Sequence, residues 1–304
     1  MPEATAAAGA GARRLRIGLT LPQFRRDPEQ TLAAYDELWR LGYDGAFVFD
    51  HLWPLLQPSR PALESWTLLA ALASRFGVAD GNGFRLGTLV TRAGLRAPSL
   101  LAHMAATVGQ IAGGPLIAGL GGGDANSRAE NEAFGLPYHN AAGRLAEVEA
   151  AALALAGTAE VWVGGLGSGS RVLAGRVADA WNAWGVTPEE LAEGLADVRQ
   201  AAERTGRDPR TVRATWGGQV LVGTDAAAAA AGLERWAARR EPQEVARTVA
   251  GDAATVVGRL HELGEAGAAW CIAALVGGSD QQLASMRALL AKAAGFAMRV
   301  PASA

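Results

Sequence analysis

Residues 15–49 read LRIGLTLPQFRRDPEQTLAAYDELWRLGYDGAFVF, and this stretch decides the fold. Its first seven residues are mainly apolar and end at a proline, which predicts a β-strand. Pro28 marks the first turn of a helix, and Gly42 ends that helix. The apolar run 45–49 then predicts a second strand, buried on both faces as strands of parallel sheets are. The stretch therefore forms a β-α-β unit.

The same alternation continues to the end of the chain. Eight strands are predicted, at residues 15–21, 45–49, 84–90, 115–120, 160–163, 179–183, 212–222 and 268–275, with helices between nearly all of them. Such alternation predicts a parallel sheet. Eight units predict an α/β fold of the (β/α)8 TIM-barrel class, as one domain over residues 15–298. The alternative is an open doubly wound sheet, which more often has about five to seven strands.

Composition narrows the classes of function. The chain has 304 residues with 28 basic and 30 acidic side chains, so nothing draws it to nucleic acid or to an anionic membrane. One cysteine and four scattered histidines exclude a disulfide framework and argue against a zinc site. Residues 1–14 lack a basic start and a long apolar run, which predicts a disordered tail and not a signal peptide. We expect a cytoplasmic protein with no membrane-spanning helix and a small-molecule substrate.

In a barrel, functional residues lie where the strands end and lead into the helices. After the second strand come Asp50, His51 and Trp53: an acid, an imidazole able to move protons near neutral pH, and an indole. The alternative is that Asp50 caps a helix and His51 is an ordinary loop histidine. Gly87 lies within the third strand, where it makes room for a planar ligand or simply packs in the barrel.

Two glycine-rich stretches follow the next strands. After the fourth strand, Gly121, Gly122 and Gly123 let a ligand lie against the backbone, and Asp124 and Asn126 offer polar contacts; the alternative is a flexible loop. After the fifth strand, small residues precede a helix and predict an anion cradle for a phosphate, formed by Gly164, Gly165, Gly167, Ser168 and Arg171. The spacing does not match the dinucleotide-binding pattern GxGxxG. Trp181, after the sixth strand, either packs in the barrel or faces a ligand.

These residues carry a family likeness. The chain resembles the bacterial-luciferase-like monooxygenase superfamily, in particular its oxidoreductases that depend on the deazaflavin coenzyme F420. The matching motifs are Asp50-His51-Leu, LGTLVT at 86–91, IAGGPLIAGLG at 111–121, ENEAFGL at 130–136, VWVGG at 161–165 and ADAWN at 178–182. They stand in the family's order and cover most of residues 15–185.

The resemblance implies a ring system, of coenzyme F420 or alternatively of FMN, lying across the strand ends. The residues backing the ring would be Gly87, Thr88, Leu89, Val90 and Thr91, with a non-proline cis peptide near Leu89–Val90. The glycines after the fifth strand would hold the cofactor phosphate. His51 would handle a proton, with Asp50 or Asp124 tuning it, and Trp53, Asn126 and Trp181 are the candidate substrate contacts.

One departure from the family pattern lies before Val161. Most relatives carry an insertion there, whereas this chain joins the fourth helix to the fifth strand almost directly. That leaves a more open site, a different lid, or a partner chain closing the site; a homodimer is common in the family. The leading hypothesis is hydride transfer between coenzyme F420 and a small organic substrate. The alternatives are an FMN-dependent monooxygenase fed by a separate reductase, a non-catalytic relative that binds a cofactor, and a phosphate-ester barrel enzyme without flavin.

Overall fold

A computed structural model describes residues 14–54, 57–75, 83–238 and 240–299, and every structural statement below concerns these residues. The predicted N-terminal tail lies outside them except for Arg14, whose guanidinium pairs with the Asp44 carboxylate. Within the described ranges, each helix is too short or too polar to cross a lipid bilayer.

Nine parallel strands form one sheet. They are β1 (Arg16–Thr20), β2 (Gly45–Val48), β3 (Arg85–Arg92), β4 (Ile117–Gly121), β5 (Glu160–Gly164), β6 (Ala180–Trp184), β7 (Arg213–Gly223), β8 (Val249–Asp252) and β9 (Ala268–Leu275). Strands β1 to β7 pair in chain order, β7 pairs with β9, and β9 pairs with β1, so eight strands close a ring. The predicted (β/α)8 barrel is confirmed, and closure rules out the open sheet.

One of the nine strands, β8, was not predicted. Strand β8 has four residues and pairs only with the last part of β7, where Val220 lies opposite Val249. Its sequence, VAGD, is too short and too polar to give a strand signal. Its pairing with β7 creates it.

The helices lie between the strands. They are α1 (Glu29–Arg40), α2 (Ser65–Ala73), α3 (Pro98–Ala112), α4 (Ser127–Ala133), α5 (Ala141–Leu155), α6 (Ser168–Val177), α7 (Pro188–Arg204), α8 (Ala226–Ala237), α9 (Pro242–Ala246), α10 (Ala253–Glu265) and α11 (Asp280–Ala293). The predictions missed α4 and α9, which are too short to show an apolar period. Helix α4 follows β4, α9 lies between α8 and β8, and each contributes a side chain to the site.

Aromatic side chains fill the lower part of the barrel. Phe47, Trp162 and Trp270 are fully buried and touch one another, with ring centroids 5.6 to 5.9 Å apart. Leu89 and Ile117 complete this plug. Because the interior is filled below, a ligand has room only at the carboxyl ends of the strands.

Close packing between β3 and β4 gives a test of the barrel. A Cβ added at Gly87 would lie 2.5 Å from the Ile117 carbonyl oxygen, which is backbone and cannot move aside. We expect Gly87→Ala to lower the free energy of unfolding by about 2 kcal/mol or more, measured by urea denaturation.

The matched control is Gly258→Ala, on the exposed face of α10, where an added Cβ would meet nothing within 4 Å. Alanine favours a helix interior, so this variant should unfold at the same or a higher urea concentration. Equal stability of the two variants would contradict the close approach of β3 and β4.

Candidate functional site

A cavity of about 810 Å³ opens at the carboxyl ends of the strands. Its volume lies in the usual range of small-molecule sites. The predicted site residues that line it are His51, Leu89, Val90, Gly121, Gly122, Gly123, Asp124, Gly164 and Gly165. The barrel therefore brings together residues from four separate strand ends.

One side of the cavity is a flat wall around Val90. The peptide bond between Leu89 and Val90 is cis, as the resemblance implied. A Cβ added at Gly121 would lie 2.6 Å from Val90 Cγ2, and one added at Gly164 would lie 3.2 Å from Val90 Cγ1. Glycine at both positions keeps side chains off this surface and leaves it open to a planar group.

His51 lines the cavity, and one of its two ring nitrogens contacts Glu130. Its Nδ1 lies 3.2 Å from Glu130 Oε2. Because an ionised carboxylate only accepts hydrogen bonds, Nδ1 carries a proton and Nε2 is the atom free to exchange one. Nε2 has no hydrogen-bond partner among the described residues. The His51 side chain is 19% exposed, enough to meet a ligand.

Glu130 is fully buried on α4 and accepts from three groups. Besides His51, these are the backbone N–H of Leu52 and the Arg92 guanidinium, whose Nη1 lies 2.9 Å from Oε2. Burial acts to raise the pKa of the Glu130 carboxyl, but hydrogen bonds from His51 and Leu52 and the charge of Arg92 outweigh it and hold that pKa below its usual range. Glu130 therefore stays ionised and keeps His51 in one orientation.

Asp50 does not reach the cavity, although it is the neighbour of His51 in the chain. Its buried carboxylate accepts from Ser65 Oγ at 2.6 Å, from the Arg92 backbone N–H, and from both terminal nitrogens of Arg96. Its oxygens are committed to joining α2 to the end of β3. Asp50 is therefore a structural carboxylate behind the cavity wall, and it does not contact the space where a cofactor ring would lie.

Three of the residues predicted to back a ring lie inside the barrel wall. An added Cβ at Gly87 would strike Ile117, Thr88 Oγ1 donates to the Gly119 carbonyl at 2.9 Å, and Thr91 Oγ1 accepts from Trp66 Nε1. Both threonines are buried and line no part of the cavity. Only Leu89 and Val90 of that stretch do so.

Trp181 also differs from its expected place as a substrate contact. It is fully buried, and its Nε1 donates to the Gly165 carbonyl oxygen at 2.8 Å. The indole thereby fixes the β5–α6 turn from behind, because it packs between the sheet and α7 at Gly194.

The glycine turn lies at the edge of the cavity. Gly165 lines it with a φ of 125°, a backbone conformation that favours glycine. Gly167 and Ser168 are exposed at the start of α6 but do not line the cavity. The Arg171 side chain turns away and pairs with Asp197 at 2.7 Å.

Two further candidates lie outside the cavity lining. Trp53 packs against Phe134, the residue that follows α4, with ring centroids 5.6 Å apart. Asn126 is exposed at the start of α4, and its side chain makes no capping hydrogen bond. Asp124 does line the cavity, at its exposed mouth, where its Oδ1 accepts from Ser127.

The sequence analysis missed several residues of the site. Glu130 was quoted only as part of the motif ENEAFGL, and Arg92, the last residue of β3, was not a candidate. Phe24, Phe49 and Trp184 form the apolar side of the cavity. Phe49 and Trp184 stand at the ends of β2 and β6, so the rule applied to other strand ends could have found them.

Comparison with known proteins gives one family. The family model described as luciferase-like monooxygenase matches residues 14–159 and 149–295. Among curated proteins, a phthiodiolone/phenolphthiodiolone dimycocerosates ketoreductase of Mycobacterium sp. (strain JLS) is 29% identical over 204 residues, 58% of this chain and 50% of the relative. The protein of the same name from Mycobacterium tuberculosis (strain ATCC 25618 / H37Rv) is 32% identical over 178 residues, 49% of this chain and 45% of the relative. The chain thus matches about half the length of these relatives.

Solved structures share the fold at low identity. An F420-dependent secondary alcohol dehydrogenase, in complex with an F420-acetone adduct, has a TM-score of 0.76 at 16% identity, covering 92% of this chain and 98% of that one. The EDTA monooxygenase of Chelativorans sp. BNC1 also has a TM-score of 0.76, at 14% identity, covering 93% and 94%. A coenzyme F420-dependent tetrahydromethanopterin reductase from Methanopyrus kandleri has a TM-score of 0.70 at 17% identity, covering 93% and 99%.

The low pKa of Glu130 gives a test by pH. Because the carboxyl titrates lower in the folded than in the unfolded chain, its stabilisation is complete above its usual pKa and is lost as pH falls through the folded pKa. We expect Glu130→Gln to lower the free energy of unfolding at pH 7 by about 3 kcal/mol, because Arg92 stays buried without its partner. The difference from wild type should shrink in acid, measured by urea denaturation at pH 7 and below pH 4.

Glu132→Gln is the matched control, since Glu132 is exposed on the same helix and forms a long surface ion pair of 3.8 Å with Arg128. It should change stability by less than about 0.5 kcal/mol at either pH. A Glu130→Gln deficit that stays constant or grows on acidification would refute this account of the carboxylate.

Proposed function

The chain belongs to the luciferase-like monooxygenase family, and from that premise we propose that it is an oxidoreductase that moves a hydride between coenzyme F420 and a small organic substrate. The observation that carries the proposal is the position of His51. Its ring, fixed by Glu130, lines the same cavity as the flat glycine wall. A proton-exchanging group beside a surface for a planar ring is what hydride transfer to a carbonyl requires.

The residues present fit a planar tricyclic cofactor. Gly121 and Gly164 leave bare the surface around Val90 that any Cβ would obstruct. Gly165, Gly167 and Ser168 would hold the phosphate through backbone N–H groups at the start of α6. Leu89 and Val90 would support the ring from below, while Arg171 stays with Asp197.

The bound cofactor would supply or accept the hydride. The work of the chain is binding, orientation and proton handling. In the reductive direction, His51 Nε2 donates a proton to the substrate oxygen, and in the oxidative direction it accepts that proton. Glu130 is a positioning residue, because it acts through His51 Nδ1 and does not line the cavity. Phe49 and Trp184 exclude water from the apolar side.

Two kinds of similar protein support hydride chemistry: the curated relatives are ketoreductases, and one similar fold is that of an F420-dependent secondary alcohol dehydrogenase. A second candidate is an FMN-dependent monooxygenase. The TM-score to EDTA monooxygenase equals that to the F420-dependent alcohol dehydrogenase, so the fold alone does not separate the two candidates.

Direct titration separates these candidates. We expect coenzyme F420 to bind the purified protein with micromolar affinity, measured by calorimetry and by the change in its visible spectrum, and FMN to bind at least tenfold more weakly. Gly164→Val should abolish binding of either, since its side chain occupies the wall beside Val90. Tight binding of FMN with none of F420 would transfer the proposal to the monooxygenase, and failure of both would overturn it.

The proton role of His51 has its own test. With the best substrate from a panel of secondary alcohols, His51→Asn should lower kcat by about a hundredfold or more and leave F420 affinity unchanged. His103→Asn is the control, because His103 is exposed on α3 and outside the cavity. Undiminished kcat in His51→Asn would remove His51 from the chemistry.

A further inference from the structure

The cavity has two unlike sides. Besides the glycine wall it has an aromatic surface, where Phe24 stacks on Phe49 with centroids 6.1 Å apart and planes 9° apart, and Phe49 meets the edge of Trp184 at 6.0 Å. Leu275 and Leu283 extend this apolar surface. Trp184 lines the cavity and is 37% exposed, so a large indole surface is available for contact with a ligand.

The basic side chains at the cavity already have carboxylate partners. Arg92 donates to Glu130 through Nη1 at 2.9 Å, and Arg287 donates to Glu37 at 2.7 Å. The other guanidinium nitrogens of Arg92, Nε and Nη2, have no partner among the described residues, but both are buried and out of contact with solvent. A substrate carboxylate entering here would lose its hydration and meet cations whose charge a carboxylate already balances.

The acidic side chains at the cavity are partnered as well. Glu244 accepts from Gln219 at 2.6 Å and lies 3.6 Å from the Arg240 guanidinium. Asp124 accepts from Ser127 and stands at the exposed mouth, in contact with solvent. An ammonium group on the substrate would therefore gain little inside the cavity.

Of the titratable side chains that line the cavity, His51 remains, with Nε2 unpartnered among the described residues. It is neutral or protonated according to the step, so it suits an oxygen that is itself uncharged: a ketone oxygen accepting a hydrogen bond or a hydroxyl donating one. The Phe24 and His51 ring centroids are 6.5 Å apart, so this polar atom adjoins the apolar side.

We propose that the substrate is a neutral, mainly apolar ketone, or its secondary alcohol, whose hydrocarbon body packs on Phe24, Phe49 and Trp184 while its oxygen meets His51. The proposal rests on the proposed function and narrows its substrate class. In reduction, the carbonyl carbon gains a hydride, the C=O π bond breaks, and the oxygen gains the His51 proton. The reduced deazaflavin supplies both electrons and is oxidised.

The test is calorimetry with methyl ketones of increasing length, 2-pentanone, 2-heptanone and 2-nonanone, and with 2-oxononanoate as the charged analogue. Each titration is run on the protein alone and again with saturating F420. Affinity should rise by about fourfold per methylene. The charged analogue should bind at least tenfold more weakly than 2-nonanone. Equal or tighter binding of 2-oxononanoate, a flat chain-length series, or no ketone binding in either condition would overturn the proposal.

Variants locate the binding surface. Trp184→Ala should weaken 2-nonanone by about tenfold. Leu283→Asp, at a half-buried position, should do the same by placing a charge in the apolar side. Leu153→Ala, on a side chain 60% exposed on α5, is the control and should change nothing. If Trp184→Ala does not fold, Leu283→Asp carries the test, and unchanged 2-nonanone affinity in the folded variant overturns the proposal.

The two proposals fail separately. Ketone binding to the protein alone depends only on the cavity walls, and F420 binding depends only on the glycine wall and the α6 turn. If ketones bind with the expected increase in affinity along the series and F420 does not bind, the proposed function is wrong but the proposed substrate class is supported. If F420 binds and no ketone does, the proposed substrate class is wrong but the proposed cofactor is supported.

Discussion

The buried carboxylate of Glu130 holds the site together. It accepts from His51 in the loop after β2, from the Leu52 backbone in the same loop, and from Arg92 at the end of β3. An ionised carboxylate in a protein interior is stable only when its lone pairs are filled by donors, and these groups fill them. Moving any of these donors away would leave the buried carboxylate without a hydrogen-bond partner. The loop after β2, the end of β3 and α4 are therefore fixed relative to one another. The orientation of the imidazole is a consequence of that constraint.

A second carboxylate gives this arrangement its support. Asp50 binds Arg96, Ser65 and the Arg92 backbone, so the residue that anchors Glu130 is itself anchored through its main chain. The two carboxylates therefore divide the work. Asp50 fixes the end of β3 behind the cavity wall, and Glu130 holds His51, the side chain for which we propose proton transfer. Pre-organisation of this kind lowers the cost of orienting groups when the substrate arrives.

The apolar and glycine-rich sides of the cavity arise from different physical causes. On the glycine side, strands approach so closely around Val90 that any side chain would clash. On the other side, the aromatic rings of Phe24, Phe49 and Trp184 line the cavity, and Trp184 remains 37% exposed. The cavity thus combines a bare wall with a partly exposed aromatic surface, which matches the planar cofactor and the apolar substrate that we propose for it.

Local patterns sufficed for the barrel but not for its short elements. Apolar runs of strand length alternating with helical periods predicted eight strands within a few residues of their observed bounds, and the rim stretches 121–124 and 164–165 followed from strand ends. Helix α4, helix α9 and strand β8 lack such patterns, because tertiary contacts and not propensity stabilise elements of this length. Glu130 lies on α4 and Glu244 on α9, so both were overlooked together with their elements.

The sequence by itself determined the closed parallel barrel and the edge at which the site lies, since hydrophobic periodicity is a local property that needs no knowledge of distant residues. Only the tertiary structure decided which rim side chains face inward. Asp50 and His51 are adjacent, yet one points into the wall and the other into the cavity, and the partner of His51 stands 79 positions away in the chain. Contacts between such distant positions exist only once the sheet has formed, because the pairing of β2 with β3 and of β3 with β4 brings their ends side by side.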